Sequence, residues 1–259
     1  MNEKVIYKVE NHIATITLNR PDSLNALDND MIFSMYDMLE KYKVNDDVRV
    51  IVIEGNGKAF CAGDDLISME TEDHPNPSDK VLELQHGYPK LVEQIRIVPK
   101  PVICKVHKYA LGAGFEIVLA SDIVIAEENT KFGLPFVLRG MASGTYLLQQ
   151  YVGYHRACEL LFTGDMLSAD KAFDLGIINN VYSSDDINEE TNNISMRLAT
   201  GATRAIGLMK ASLNNSMNQT MQVALQEQVL ATALSFQTVD YEEGVNAFKE
   251  KRESKFIGK

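Results

Sequence analysis

Short runs of β-branched and apolar residues alternate with stretches of helical period along most of the chain, and that alternation admits few folds. Val5 to Val9 and Ile13 to Leu18 read as a hairpin turning at Glu10-Asn11-His12, closed off by Arg20-Pro21. Asp28 reads as the N-cap of a helix running to about Tyr42, with Met31, Met35, Met38 and Leu39 as its buried stripe. Val48 to Ile53 is a continuous apolar run of the kind buried on both faces of a sheet, broken only by Arg49 and ended by Gly55-Asn56-Gly57. Thr71 to Lys80 reads as an exposed loop, and Lys80 to Ile97 as one helix stopped by Pro99-Lys100-Pro101. Val102 to Val106 and Ile123 to Ala126 are two further strands. After about residue 185 only helical periods continue. The expectation is an α/β core over residues 1–185 with both sheet faces covered, followed by a helical region over 186–259 that packs on the core or on a neighbouring subunit.

At 259 residues, 45% of them hydrophobic, the chain can build one α/β core plus an appendage. Its net charge of −11 repels phosphate backbones and disfavours a nucleic-acid partner. Cys61, Cys104 and Cys158 lack metal-ligand spacing and are odd in number, which reads as three reduced thiols with no disulfide framework and no metal site. The longest apolar stretch, Tyr109 to Ala126, carries Glu116, Ser121 and Asp122 and is too interrupted for a membrane span. With no signal-like stretch after Met1, the expected location is the cytoplasm.

Two turns stand out for chemistry. Phe60-Cys61-Ala62-Gly63-Asp64-Asp65 follows one strand, and Gly112-Ala113-Gly114-Phe115-Glu116 follows another and opens a helix. Small residues let a ligand approach the backbone, and a helix N-terminus offers unpaired N–H donors. Either turn alone also fits simple tight packing of helix on strand. Ile117 stands where a dinucleotide fingerprint needs its third glycine. Facing one another, the two turns could give two backbone donors to one carbonyl oxygen. Losing one donor of such an oxyanion hole costs roughly 100- to 1000-fold in rate.

Taken in order, Asn19-Arg20-Pro21, Leu24-Asn25-Ala26-Leu27, Lys58 to Leu66, Lys100-Pro101-Val102-Ile103, Tyr109 to Glu116, Ser121-Asp122-Ile123, Phe132-Gly133-Leu134-Pro135, Leu161-Phe162-Thr163-Gly164 and Ala247 to Arg252 resemble the crotonase (enoyl-CoA hydratase/isomerase) superfamily over essentially the whole chain. The resemblance implies a spiral of ββα units with a C-terminal helical trimerisation region, and assembly as a homotrimer or dimer of trimers. It implies a lyase or isomerase of the kind found in fatty acid metabolism. The substrate would be an acyl-CoA, with coenzyme A part of that substrate and no separate cofactor. The thioester oxygen would sit between the N–H groups of Ala62 and Ala113, lined by Gly63, Asp64, Asp65, Leu66, Gly112 and Gly114. Phe248 and Lys251 would approach the nucleotide end of CoA, from a neighbouring subunit in some assemblies.

Hydration across a double bond draws on two proton-handling groups. Glu116 matches one of the family's two glutamates, but Phe132-Gly133-Leu134-Pro135-Phe136 places Phe136 where the second is expected. Gly140-Met141-Ala142-Ser143-Gly144 alters the next turn and sets a hydroxyl, Ser143, near the pocket. That serine is one position late for a nucleophile elbow. Asp64 is the first candidate to replace the lost carboxylate, against the plainer reading of a solvated loop acid; Asp65 reads as a loop-ordering residue. His86, His107 and Tyr146 carry weaker signals. The expected function is an enoyl-CoA hydratase/isomerase-type enzyme with Glu116 as main acid/base. Isomerisation, decarboxylation and non-catalytic acyl-CoA binding are the alternatives.

Overall fold

A computed structural model describes residues 3–66, 81 and 84–259. Its larger sheet has six strands in the order β1-β2-β3-β4-β6-β9: β1 (Val5–Glu10), β2 (Ile13–Leu18), β3 (Val50–Gly55), β4 (Val102–Val106), β6 (Ile123–Glu127) and β9 (Asn180–Tyr182). The β1–β2 hairpin is antiparallel and every other neighbour in this sheet is parallel. A second sheet orders β5 (Tyr109–Leu111), β7 (Lys131–Gly133) and β8 (Leu167–Ser168). The chain therefore runs from β4 into β5 and from β6 into β7, strand of the large sheet to strand of the small one. After β5 it continues into α3 (Ala113–Ala120), a ββα unit.

The parallel strands are apolar throughout because both faces are covered. On β3, Ile51 and Ile53 face the main core, while Val50 and Val52 face a smaller cluster with Ile103, Ile125, Ile187 and Ala199. Ile187 and Ala199 belong to α7 (Ile187–Ala199), which closes the far side of the sheet. On the near side, α1 (Asn29–Val44) is capped by Asp28, whose Oδ1 accepts from the Met31 N–H at 3.0 Å. It buries Met31, Ile32, Met35, Leu39 and Tyr42, while Met38 is only partly buried.

Two expectations change. The single helix expected over Lys80 to Ile97 is interrupted: α2 is Tyr88–Ile97, and it starts afresh after a non-helical Gly87 with a proline in its first turn. Pro89 lacks an N–H and fits a helix start, and Gly87 supplies the bend before it. The loop expected at Thr71 to Lys80 lies outside the described residues. The three-residue strands β5 and β7 went unmarked because they are too short for a period of two to show.

α4 (Thr145–Val152) and α5 (Tyr154–Thr163) precede β8, and α6 (Ala169–Asp174) joins β8 to β9. The chain ends in α8 (Thr203–Ser216), α9 (Met221–Ser235) and α10 (Val239–Glu250). One buried ion pair fastens this region to the core. Lys210 of α8 donates to the Asp122 carboxylate at 2.6 Å and to the carbonyls of Ile95 and Lys100 at 2.8 and 3.1 Å. Asp122 also accepts from the Val102 N–H at 2.8 Å, holding the entry to β4. Removing one member of such a pair strands a charge in a dry site. Lys210→Ala is expected to lose about 3 kcal/mol in urea unfolding, and pairing Lys210→Met with Asp122→Asn is expected to recover much of it. A loss within about 0.5 kcal/mol for Lys210→Ala would place the pair among solvated ones.

Candidate active site

The two small-residue turns are brought together by backbone pairing. Cys61 bridges Ala110 in parallel fashion, with the Cys61 N–H donating to Tyr109 O and the Leu111 N–H donating to Cys61 O, both at 3.0 Å. The first turn thus becomes a short extension of the small sheet, alongside the strand that feeds the second turn. The approach is too tight for side chains. A Cβ on Gly114 would lie 2.7 Å from the Cys61 Cβ and Sγ. Gly63, at φ +104, would press one within 2.9 Å of the Leu111 carbonyl oxygen. Gly63 Cα itself lies 3.5 Å from where a Gly112 Cβ would be.

This geometry reassigns one expected donor. The Ala62 N–H donates to Leu24 O at 3.0 Å and is not available to a ligand. Among the described residues the Asp64 and Ala113 amides have no backbone acceptor; nor do those of Gly63, which donates to the Cys61 Sγ at 3.4 Å, and Gly114. Ala113 is the first residue of α3, where helical N–H groups have no intrahelical partner. The nearby backbone N–H groups of Asp64 and Ala113 favour the charged form of the Asp64 carboxyl. Burial nevertheless pushes the Asp64 carboxyl above its ordinary value. Asp65 leaves the gap: its carboxylate meets Arg20 at 2.8 Å, and Arg20 also reaches Asp28 and the Ala26 carbonyl. It orders the loop, and Leu66 beside it is 39% exposed.

Glu116 lies on the first turn of α3, only 7% exposed, with its Oε1 buried and lacking a hydrogen-bond partner. A Cβ on Gly144 would sit 3.2 Å from that oxygen, so Gly144 leaves the carboxyl its room. Burial first, and the Asp64 charge second, push the Glu116 carboxyl up to about 7. At neutral pH it is poised both to take a proton and to give one. The neighbouring thiol is not: burial pushes Cys61 up to about 12.

Phe136 is buried, its ring edge 3.6 Å from where a Gly112 Cβ would be, so an apolar wall stands beside the second turn. Ser143 is hydrogen-bonded to the Tyr88 hydroxyl. The Tyr88 phenol feels the charges of both Glu116 and Asp64, and burial pushes it up to about 12. Tyr88 is thus a third ionisable group of the same site, missed in the sequence. Its one signal is that Gly87-Tyr88-Pro89 breaks a helix, which swings the first residue of α2 toward the turns. The other candidates lie elsewhere. Tyr146 accepts from Asn218, His107 meets the Gly57 carbonyl at 3.0 Å, and His86 is exposed. Phe248 is 85% exposed on α10 and lines a cleft formed wholly by C-terminal residues, with Lys251 just beyond it. Within one chain these two are not gathered with the turns.

Two amides without a backbone acceptor, near a buried carboxyl, can polarise a carbonyl and move a proton at the carbon next to it. Among the described residues no cluster of His, Cys, Asp and Glu could hold a metal ion, and no helix is long and apolar enough to cross a membrane. The family model for enoyl-CoA hydratase/isomerase matches residues 8–259. The chain is 34% identical over 262 residues to the 1,2-epoxyphenylacetyl-CoA isomerase of Escherichia coli K12, covering all of both chains. It is 35% identical to the crotonyl-CoA hydratase of Syntrophomonas wolfei, over 99% of each chain. The crystal structure of an enoyl-CoA hydratase subunit from Geobacillus kaustophilus HTA426 superposes with a TM-score of 0.91 at 35% identity, over 99% of both chains. With that match along nearly its whole length, and with the fold and paired turns described above, the chain belongs to the enoyl-CoA hydratase/isomerase family, the crotonase superfamily.

Proposed function

We propose that this enzyme shifts the double bond of an enoyl-CoA through a thioester enolate, with Glu116 as its single acid/base. The Asp64 and Ala113 amides receive the thioester oxygen and carry the negative charge that develops there. Glu116 takes a proton from the carbon beside the thioester, giving a dienolate, and returns it two carbons further along. The carbonyl is regenerated as the proton is returned, so one carboxyl suffices and no water is consumed. Hydration would need a second group to activate water, and Phe136 cannot move a proton.

The observation that carries this reading is a buried Glu116, whose Oε1 has no hydrogen-bond partner, near two amides without a backbone acceptor and a buried phenylalanine. That one similar protein is a CoA-ester isomerase and another a CoA-ester hydratase is consistent with the superfamily's shared intermediate. We further propose a homotrimer or dimer of trimers in which Phe248 and Lys251 serve the CoA nucleotide of a neighbouring subunit. In support, α8 and α9 leave Met209, Leu213, Met221 and Leu225 exposed around a cleft of about 530 Å³.

Glu116→Gln is expected to lower kcat/KM for a 3-enoyl-CoA by about 1000-fold; full turnover would remove Glu116 from the mechanism. In the wild type, kcat/KM is expected to rise with pH through about 7 as Glu116 ionises, and a flat profile there would contradict the assignment. The same carboxyl affects stability in a definite direction. Its folded value of about 7 lies above the ordinary 4.5, so the stability it contributes is complete below 4.5 and is lost as pH rises through 7. Glu116→Gln is therefore expected to be more stable than wild type near pH 8, on the order of 3 kcal/mol, with little difference near pH 4. Phe136→Glu is expected to raise crotonyl-CoA hydration at least about tenfold. Rapid formation of 3-hydroxybutyryl-CoA by the wild type would overturn the single-carboxyl reading.

A further inference from the structure

Where β3 and β4 begin, Arg49 and Lys100 just before them line a cavity of about 380 Å³; the two small-residue turns follow the opposite ends of the same strands. Its size is that of a small-molecule site, about 300–1,000 Å³. Neither cation meets a carboxylate among the described residues. Arg49 donates to the carbonyls of Ala199 and Phe256 at 3.0 and 3.1 Å, and Lys100, only 6% exposed, donates to the carbonyl of Asn45. Carbonyls hold these cations in place without neutralising them, in a chain whose net charge is −11. Burial pushes the Lys100 ammonium down to about 8, with Asp46 opposing the shift and Arg204 adding to it. Asp46, the single acid among the described lining residues, is exposed and lies 3.6 Å from Arg204, a solvated pair that a stronger anion can replace.

Two buried polar atoms of the lining have no hydrogen-bond partner, the Arg49 Nε and the Thr203 Oγ1, and Thr203 is only 6% exposed. Both atoms lie 3.2 Å from the point a Gly258 Cβ would take, so a cation and an unsatisfied hydroxyl are gathered in one corner of the cavity. Buried polar groups are ordinarily hydrogen-bonded, and this corner is where a ligand oxygen would satisfy them. Thr203 also opens α8, which has no side-chain N-cap and no acid in its first turn, so the positive end of the helix is left to an anion. We infer that this cavity is a second ligand site, taking the phosphate group of a small phosphorylated molecule, at the ends of β3 and β4 opposite to the paired turns. Arg49 and Arg204 supply guanidinium donors suited to phosphate, Lys100 adds charge and the Thr203 hydroxyl donates. Val48, Pro99, Leu208 and Leu234 line the same cavity and give the apolar body of such a molecule its contact. The inference goes beyond the acyl-CoA reading and does not depend on it.

The test is calorimetric titration of the full chain with inorganic phosphate and with phenyl phosphate, in a chloride buffer. Phenyl phosphate is expected to bind wild type about tenfold more tightly than inorganic phosphate; equal affinities would overturn the phosphate-ester assignment in favour of the free ion. Thr203→Val removes a hydroxyl that has no partner to lose. It is expected to keep the wild-type Tm without phosphate and to bind phenyl phosphate about tenfold more weakly. Arg204→Gln, at a side chain that is 60% exposed, is expected to fold normally and to weaken binding by about the same factor. No binding to wild type, or binding unchanged in both variants, overturns the inference. Saturating butyryl-CoA is expected to leave the phenyl phosphate affinity unchanged, and mutual exclusion would overturn the claim of a separate site. If butyryl-CoA does not bind, the proposed function fails, while the phosphate titrations of wild type and variants still decide this one.

Discussion

The pairing of Cys61 with Ala110 is the constraint on which the rest of the site depends. Its two backbone hydrogen bonds bring a loop that follows β3 alongside a strand that precedes α3, and so set the two turns next to one another. The pairing has a strict steric condition: Gly114 stays a glycine because Cys61 occupies the space its Cβ would need. The large sheet beneath supplies rigidity, with β3 and β4 covered on both faces, and the Lys210–Asp122 pair fixes the entry to β4 from the C-terminal region. A site built from backbone amides draws its precision from strands and helix ends and not from mobile side chains.

Electrostatics then decide what the site can do. The groups that sense one another around the gap are two carboxyls and a phenol, within a chain of net charge −11. Burial without a nearby cation keeps Glu116 protonatable at neutral pH, which suits a residue that must both accept and return a proton. The same surroundings make an oxyanion costly everywhere except between the two amides. Under the proposed reading this arrangement favours chemistry that develops charge on a thioester oxygen and moves a single proton, with buried Phe136 as an apolar wall beside the second turn.

Much of this was legible in the residues. The strand runs, the Asp28 cap and the change to helices near residue 185 follow from period and capping chemistry. Glu116 and the two glycine turns were visible as motifs. The donor identity was not: Ala62 and Asp64 are two residues apart in one turn, and which amide is free depends on Leu24, whose carbonyl reaches Ala62 from a loop far away in sequence. Tyr88 was hidden for a related reason, since a helix pattern continues through Gly87-Tyr88-Pro89 and only the backbone break directs the phenol to Ser143. The partnership of Lys210 with Asp122 was equally invisible, because a lysine on a helical period reads as solvent-facing unless a buried acceptor is known.

The central claim is that the two amides and Glu116 together form an enolate from a thioester, and hydrogen exchange on a substrate that can do nothing else tests it most directly. Butyryl-CoA incubated with the enzyme in heavy water is expected to gain deuterium at the carbon beside the thioester and nowhere else along the chain. The rate should rise with pH through about 7. Butyryl-CoA that binds yet acquires no deuterium would contradict the account.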